Sequence, residues 1–99
     1  MIKDSVRSKR SVLKKHGLPT RGRIRFVPKK GWGAKQDLLM REGGYVDKFD
    51  NVWKKGPSRT KGEAYEWDVQ LSSEGCRMLR WLSREGKHVN VSLEGRVTH

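Results

Sequence analysis

The sequence predicts an α+β fold that is mostly β: a short N-terminal helix followed by a twisted antiparallel sheet or half-barrel. Three observations carry this expectation. Helix start and stop signals occur together within residues 4–17. From Tyr45 onward, apolar residues alternate with polar ones over several short runs. Clusters of Gly, Ser, Asp and Asn punctuate those runs at close spacing, as in antiparallel sheets.

Asp4 or Ser5 starts the expected helix over residues 4–16, with Val6, Val12 and Leu13 as a thin apolar stripe and Gly17 as its stop. Leu18-Pro19-Thr20 ends it. Arg21–Val27 alternates and reads as a first strand, with Ile24 and Phe26 on one face and Pro28 closing it. Residues 29–43 read as loop. Tyr45–Phe49 and Val52–Lys54 read as strands around Asp50-Asn51, a tight-turn pair that tolerates positive φ. Lys55–Gly62 is a basic loop rich in hydroxyls. Ala64–Leu71 is the longest strand, and Ser72–Gly75 turns the chain. Arg77–Leu82 is expected to return as a strand, and Ser83–Gly86 to turn again. His88–Leu93 alternates, and Glu94-Gly95 precedes the end at His99.

At 99 residues the chain makes one small domain. Its hydrophobic content is only 33%, so Trp32, Trp53, Trp67 and Trp81 are expected to supply much of the core. Trp32, between two glycines, reads either as a stacking platform for a splayed base or as a cover for the core's edge. The lone Cys76 excludes an intramolecular disulfide and a multi-cysteine zinc site, and reads as a small half-buried hydrophobe. No apolar stretch reaches the ~18 residues of a membrane span. The basic N-terminus lacks the apolar core of a secretory signal, so export is expected to come from a larger parent chain.

The net charge of +12 is unevenly placed. Residues 1–35 hold twelve Lys/Arg against Asp4, whereas residues 36–99 are nearly balanced. This divides the domain into a basic N-terminal segment, 1–35 (helix plus first strand), and a β-rich catalytic body, 36–99. Such a segment binds phosphate backbones by releasing counterions, without reading sequence. A solvated linker is the plainer alternative.

In Ala64–Leu71, Glu66, Asp68 and Gln70 share one face, while Tyr65, Trp67, Val69 and Leu71 share the other. His88, Asn90 and Ser92 likewise share the polar face of their strand. If the two strands are neighbours, carboxylates and an imidazole lie together on one wet face. That is the constellation for metal-independent RNA cleavage. A base takes the 2′-OH proton, an acid protonates the leaving 5′-oxygen, and a cation steadies the phosphorane. Alternating polar residues also make an ordinary solvated sheet face. The loop carrying Lys55, Ser58, Arg59, Thr60 and Lys61 offers hydroxyls, charge and backbone N–H groups to a phosphate, without the spacing of a P-loop. Asn90, Arg23, Arg25, Lys29 and Lys30 are further candidate RNA contacts. His16 reads as a solvated helix residue. No metal-ligand or cofactor motif is present in the sequence, so neither is expected.

Several stretches resemble a known family: Lys55-Gly56-Pro57-Ser58-Arg59-Thr60, then Glu66–Ser72, then His88–Leu93 with Gly95 and His99, preceded by His16–Thr20 and Ile24–Pro28. Together they look like the C-terminal toxin domain of bacterial polymorphic and contact-dependent inhibition toxins, toxin type 17. Tyr65-Glu66-Trp67-Asp68 and Glu85-Gly86-Lys87-His88 are also distantly similar to colicins and cloacins that cut small-subunit ribosomal RNA. That second resemblance implies a catalytic Asp68 and matches His88 to a family histidine. Leu71 stands where the family has another histidine, so His88 or His99 takes over its function or the cleavage site differs. The resemblances raise Asp68, His88, Glu66, His99 and Arg59 as catalytic candidates. They imply an acidic cognate immunity protein, delivery as the C-terminal part of a secreted or surface-displayed toxin, and action in the target-cell cytoplasm.

The expected function is a metal-independent endoribonuclease toxin acting on ribosomal RNA. A non-catalytic RNA- or ribosome-binding protein is the alternative. A DNA-directed toxin ranks last, because the paired-histidine motif of metal-dependent DNA-cutting toxins is absent from the sequence.

Overall fold

The structure, a computed structural model, describes residues 2–33, 36–58, 61–79 and 86–98, with residues 2–8 described by backbone alone. The described residues form an N-terminal helix, an open five-stranded antiparallel sheet and a second short helix, so the fold is α+β and mostly strand, as expected.

Helix α1 (Ile2–Lys15) ends in a glycine cap. Gly17, at φ 75°, donates to the Lys14 carbonyl, and Leu18 donates to the Leu13 carbonyl. This paired arrangement satisfies the last helical carbonyls and brings Leu13 against Leu18. Both leucines are buried in the core. His16 is not a solvated helix residue. It is half-buried, with Nδ1 hydrogen-bonded to the Tyr45 hydroxyl at 3.2 Å.

The sheet runs β1 (Met40–Arg41), β2 (Gly44–Val46), β3 (Val52–Pro57), β4 (Tyr65–Gln70) and β5 (His88–Val91), in that spatial order. Val97 bridges Val91 at the outer side of β5. One face of the sheet carries Trp53, Trp67, Val69, Val89 and Val91, all nearly inaccessible to solvent. Leu13, Leu18, Ile24 and Phe26 cover it. Trp67 is fully buried, packs edge-on against Trp53, Tyr45 and Tyr65, and donates from Nε1 to the Gly17 carbonyl at 2.9 Å.

Other sequence expectations also require correction. Helix α1 begins at Ile2, so Asp4 and Ser5 lie within it rather than at its start. Arg21–Val27 forms no strand. Ile24 and Phe26 do turn inward, but their N–H groups bond to Gly95 and Pro19 carbonyls rather than to a ladder. Residues 29–43 are not all loop, because Glu42 and Gly43, both at positive φ, close a tight hairpin between β1 and β2. Strand β2 stops at Val46, so Lys48 and Phe49 belong to the turn, whereas β3 runs on to Pro57. Helix α2 (Ser73–Leu79) replaces the first part of the expected strand Arg77–Leu82. Ser72 caps it, its Oγ accepting from Gly75 N–H at 3.0 Å. The rest of that stretch, with Trp81, lies outside the described residues.

Asp47 organises the turn from β2 to β3. Buried to 2% exposure, its carboxylate accepts from the N–H groups of Phe49 and Asn51, Asn51 Nδ2 and Trp53 Nε1. Asp50 takes the expected positive φ. Asn51 in turn accepts from Ser72 N–H at the start of α2. Asp47→Ala would strand these buried donors. The expected loss is about 3 kcal/mol or more, read as a lower urea midpoint with an unchanged slope.

Candidate functional site on the polar face of the sheet

Strand register decides which polar residues meet. Asp68 stands opposite Lys54 on β3 and Asn90 on β5, and Gln70 stands opposite His88. Directly opposed residues in an antiparallel pair point to one face. Glu66, Asp68, Gln70, His88 and Asn90 therefore share the face opposite the tryptophan core, and Lys54 joins them. Asp68 and His88 are diagonal neighbours, a relation that separates residues by roughly 7–8 Å. Two such groups can flank one phosphate.

The two carboxylates differ in environment. Glu66 is buried, at 1% exposure. Among the described residues it accepts from Asn90 Nδ2 at 2.7 Å, Thr98 Oγ1 at 3.2 Å and Ser58 Oγ at 3.4 Å. These donors come from β5, from the C-terminal segment and from the end of β3. Asp68 is half-buried, and its Oδ1 is buried without a hydrogen-bond partner among the described residues. Burying a carboxylate oxygen unpaired is costly, so such atoms in folded proteins call for an explanation. His88 is half-buried at the start of β5.

The other candidates are distributed. Ser58 shares its hydroxyl between Glu63 and Glu66, each at 3.4 Å. Lys61 is exposed in the loop. Arg59, Thr60 and His99 lie outside the described residues. Lys55 belongs to the opposite face, its Nζ 4.4 Å from the centre of the Tyr65 ring. Ser92 is buried and structural, its Oγ accepting from the N–H groups of Glu94 and Arg96 in the last turn. Arg23 and Arg25 border a cavity of about 250 Å³ on the core side, with Trp53, Val69 and Met78. Lys29 and Lys30 border a second cavity, of about 330 Å³, with Trp32, Leu38, Leu39 and Val46. Lys29 also pairs with Asp50, and this hydrogen bond holds the Asp50 carboxyl below its ordinary pKa. Trp32 covers the edge of the core, its Nε1 bonded to the Gln36 carbonyl.

Sequence reasoning missed two residues. Lys54 sits across from Asp68 only because of the β3–β4 register. Thr98 reaches Glu66 only because the last turn folds back along β5. Local patterning contains neither signal. Among the described residues no three His, Cys, Asp or Glu side chains gather as a metal site, and no helix is long and apolar enough to cross a membrane.

A wet sheet face with a carboxylate, an imidazole and a lysine in adjacent register suits proton transfer at a phosphate ester. Comparison with known proteins finds no matching curated protein and no matching solved structure. The family model described as Novel toxin 17 matches residues 7–99, nearly the whole length, and the chain belongs to this family of toxin domains from polymorphic toxin systems.

Proposed function

We propose that the domain is a metal-independent endoribonuclease toxin whose reacting groups are Asp68 and His88. The observation that carries this reading is the buried Asp68 Oδ1 on the polar face of the sheet, without a hydrogen-bond partner among the described residues, with Lys54 across the register and His88 on the diagonal. One of the pair takes the proton from a ribose 2′-OH. The freed oxygen attacks the adjacent phosphorus, and the bond to the 5′-oxygen breaks. The other group protonates that oxygen, leaving a 2′,3′-cyclic phosphate and a 5′-hydroxyl. Lys54 stabilises the charge that develops on the phosphorane. Exposed cations from residues 9–30 hold the RNA backbone.

Glu66 has a different role in this reading. Its carboxylate is enclosed by Ser58, Asn90 and Thr98. It fixes the loop and the C-terminal segment on either side of Asp68 rather than touching RNA. Ribosomal RNA is the proposed target, transfer RNA the alternative. An acidic immunity protein would neutralise the +12 chain, with steering that weakens in salt. Delivery is proposed from the C-terminus of a larger toxin into the target-cell cytoplasm.

Incubation with ribosomes and total bacterial RNA in excess chelator tests this. Discrete cuts bearing cyclic phosphate ends are expected. Asp68→Ala and His88→Ala should each slow cleavage by about 10²–10⁴-fold. Wild-type rates in both variants would end the assignment, and tight binding without cleavage would identify a non-catalytic RNA-binding domain. Lys54→Ala should cost about 10²-fold, with partial recovery in Lys54→Arg; an unchanged Lys54→Ala rate removes Lys54 from the site. Glu66→Ala leaves three hydroxyl or amide donors without their acceptor. It should lower unfolding free energy by roughly 2 kcal/mol in a urea titration.

A further inference from the structure

The cavity bordered by Lys29, Lys30, Trp32 and Leu39 opens on the same sheet face as Asp68. Val46, in its floor, opposes Val52 on β3, which opposes Gln70 on β4, which opposes His88 on β5. Leu39 extends this row, because Val46 N–H bonds to the Leu39 carbonyl beside the Met40–Tyr45 pair. One continuous row of side chains therefore runs from the cavity to the imidazole. By strand spacing and rise, the Cα atoms of Val46 and Asp68 stand about 12 Å apart. A single-strand-binding fold follows roughly 4–16 nucleotides, so one short strand can reach both places.

The lining defines the occupant. At about 330 Å³ the cavity falls within the small-ligand range of ~300–1,000 Å³. Trp32, Leu38 and Val46 make an apolar floor, each at 9% exposure or less. Leu39 stands half-exposed at the mouth, beside the exposed Met40, and gives the cavity an apolar edge open to solvent. Lys30 is exposed on the rim and presents positive charge to a phosphate, whereas the charge of Lys29 is offset by its pairing with Asp50. Gln36 and Asp37, both exposed, complete the lining. A carboxylate there repels a phosphate but accepts from base N–H groups, and its two oxygens match the adjacent N1–H and N2–H donors of guanine.

We infer that this cavity is a nucleotide subsite. It holds one base of the RNA, preferentially guanine, against Leu39 and the apolar floor, with its phosphate toward Lys30. The inference rests on the RNA-directed reading above and supplies its sequence preference. Splayed bases held in pockets beside a cationic surface are the usual means of reading single-stranded RNA.

The test is titration of the Asp68→Ala chain with GMP and UMP, followed by tryptophan fluorescence and calorimetry, with wild-type cleavage of total RNA measured in parallel. Saturable GMP binding is expected, several-fold tighter than UMP. Leu39→Glu, at a half-exposed site that leaves the core intact, should weaken GMP binding at least tenfold. Asp37→Ala should abolish the preference over UMP. Met78→Glu, beside the cavity on the opposite face, should change nothing. Absence of GMP binding, or GMP binding indifferent to Leu39→Glu, overturns the subsite even if RNA is cut. If Leu39→Glu instead weakens only an acidic protein partner, the cavity is a protein-docking site and the inference fails. GMP binding with the expected variant effects, in a chain that cuts no RNA, supports the subsite while ending the ribonuclease reading.

Discussion

Everything on the polar face depends on how Trp67 is buried. Its indole is enclosed by Trp53, Tyr45 and Tyr65 and tied by Nε1 to the carbonyl of Gly17, fifty residues away. Successive side chains on a strand point to opposite faces, so a buried Trp67 forces Glu66 and Asp68 outward. A slip of one residue would invert the strand and bury both carboxylates in the tryptophan core. The large apolar area of Trp67 and Val69 makes that slip prohibitive. Core packing and the direction of the candidate catalytic group are thus one constraint.

The outward face is not uniform, and the difference between its carboxylates follows from what folds over them. The last turn carries Val97 beside Val91, with Thr98 N–H bonded to the Asn90 carbonyl. That lid encloses Glu66 and provides the hydroxyl that it requires, while Ser58 and Asn90 close the remaining sides. Asp68, two residues along and facing Lys54, keeps an oxygen without a hydrogen-bond partner among the described residues. A buried, satisfied acid holds structure together. An acid left incompletely paired is the one with free capacity for chemistry.

The alternation of residues 64–71 and 88–93 exposes the two polar faces to direct reading, because period two needs no knowledge of partners. The positive φ of Asp50 and the cap at Gly17 are equally local, and both are legible. What local pattern cannot contain is register. Lys54 lies in a run read only as strand, and nothing nearby marks it as the residue opposite Asp68. The stretch from Ser72 reads as a turn in the sequence because a serine serves turn and helix cap alike. Only its contacts with Phe49, Asn51 and Gly75 select the cap. The Glu42-Gly43 hairpin leaves no pattern in the sequence because β1 has two residues, too few to display a period.

The basic N-terminal segment shows why charge and fold cannot be assigned separately here. Leu13, Leu18, Ile24 and Phe26 from this segment lie in the same core as Trp53 and Trp67. Between them Arg21, Arg23 and Arg25 are turned outward by the same alternation that buries Ile24. In a chain with 33% hydrophobic residues, the sheet cannot cover its tryptophan face alone. The segment supplies that cover, and packing then fixes the path of the backbone that carries its cations. Cations on a backbone already held in place lose less freedom on meeting a phosphate backbone than those of a disordered tail, which must order its chain as it binds. The residues that complete the core thereby set where the segment's cations lie, and with them where the proposed RNA would run.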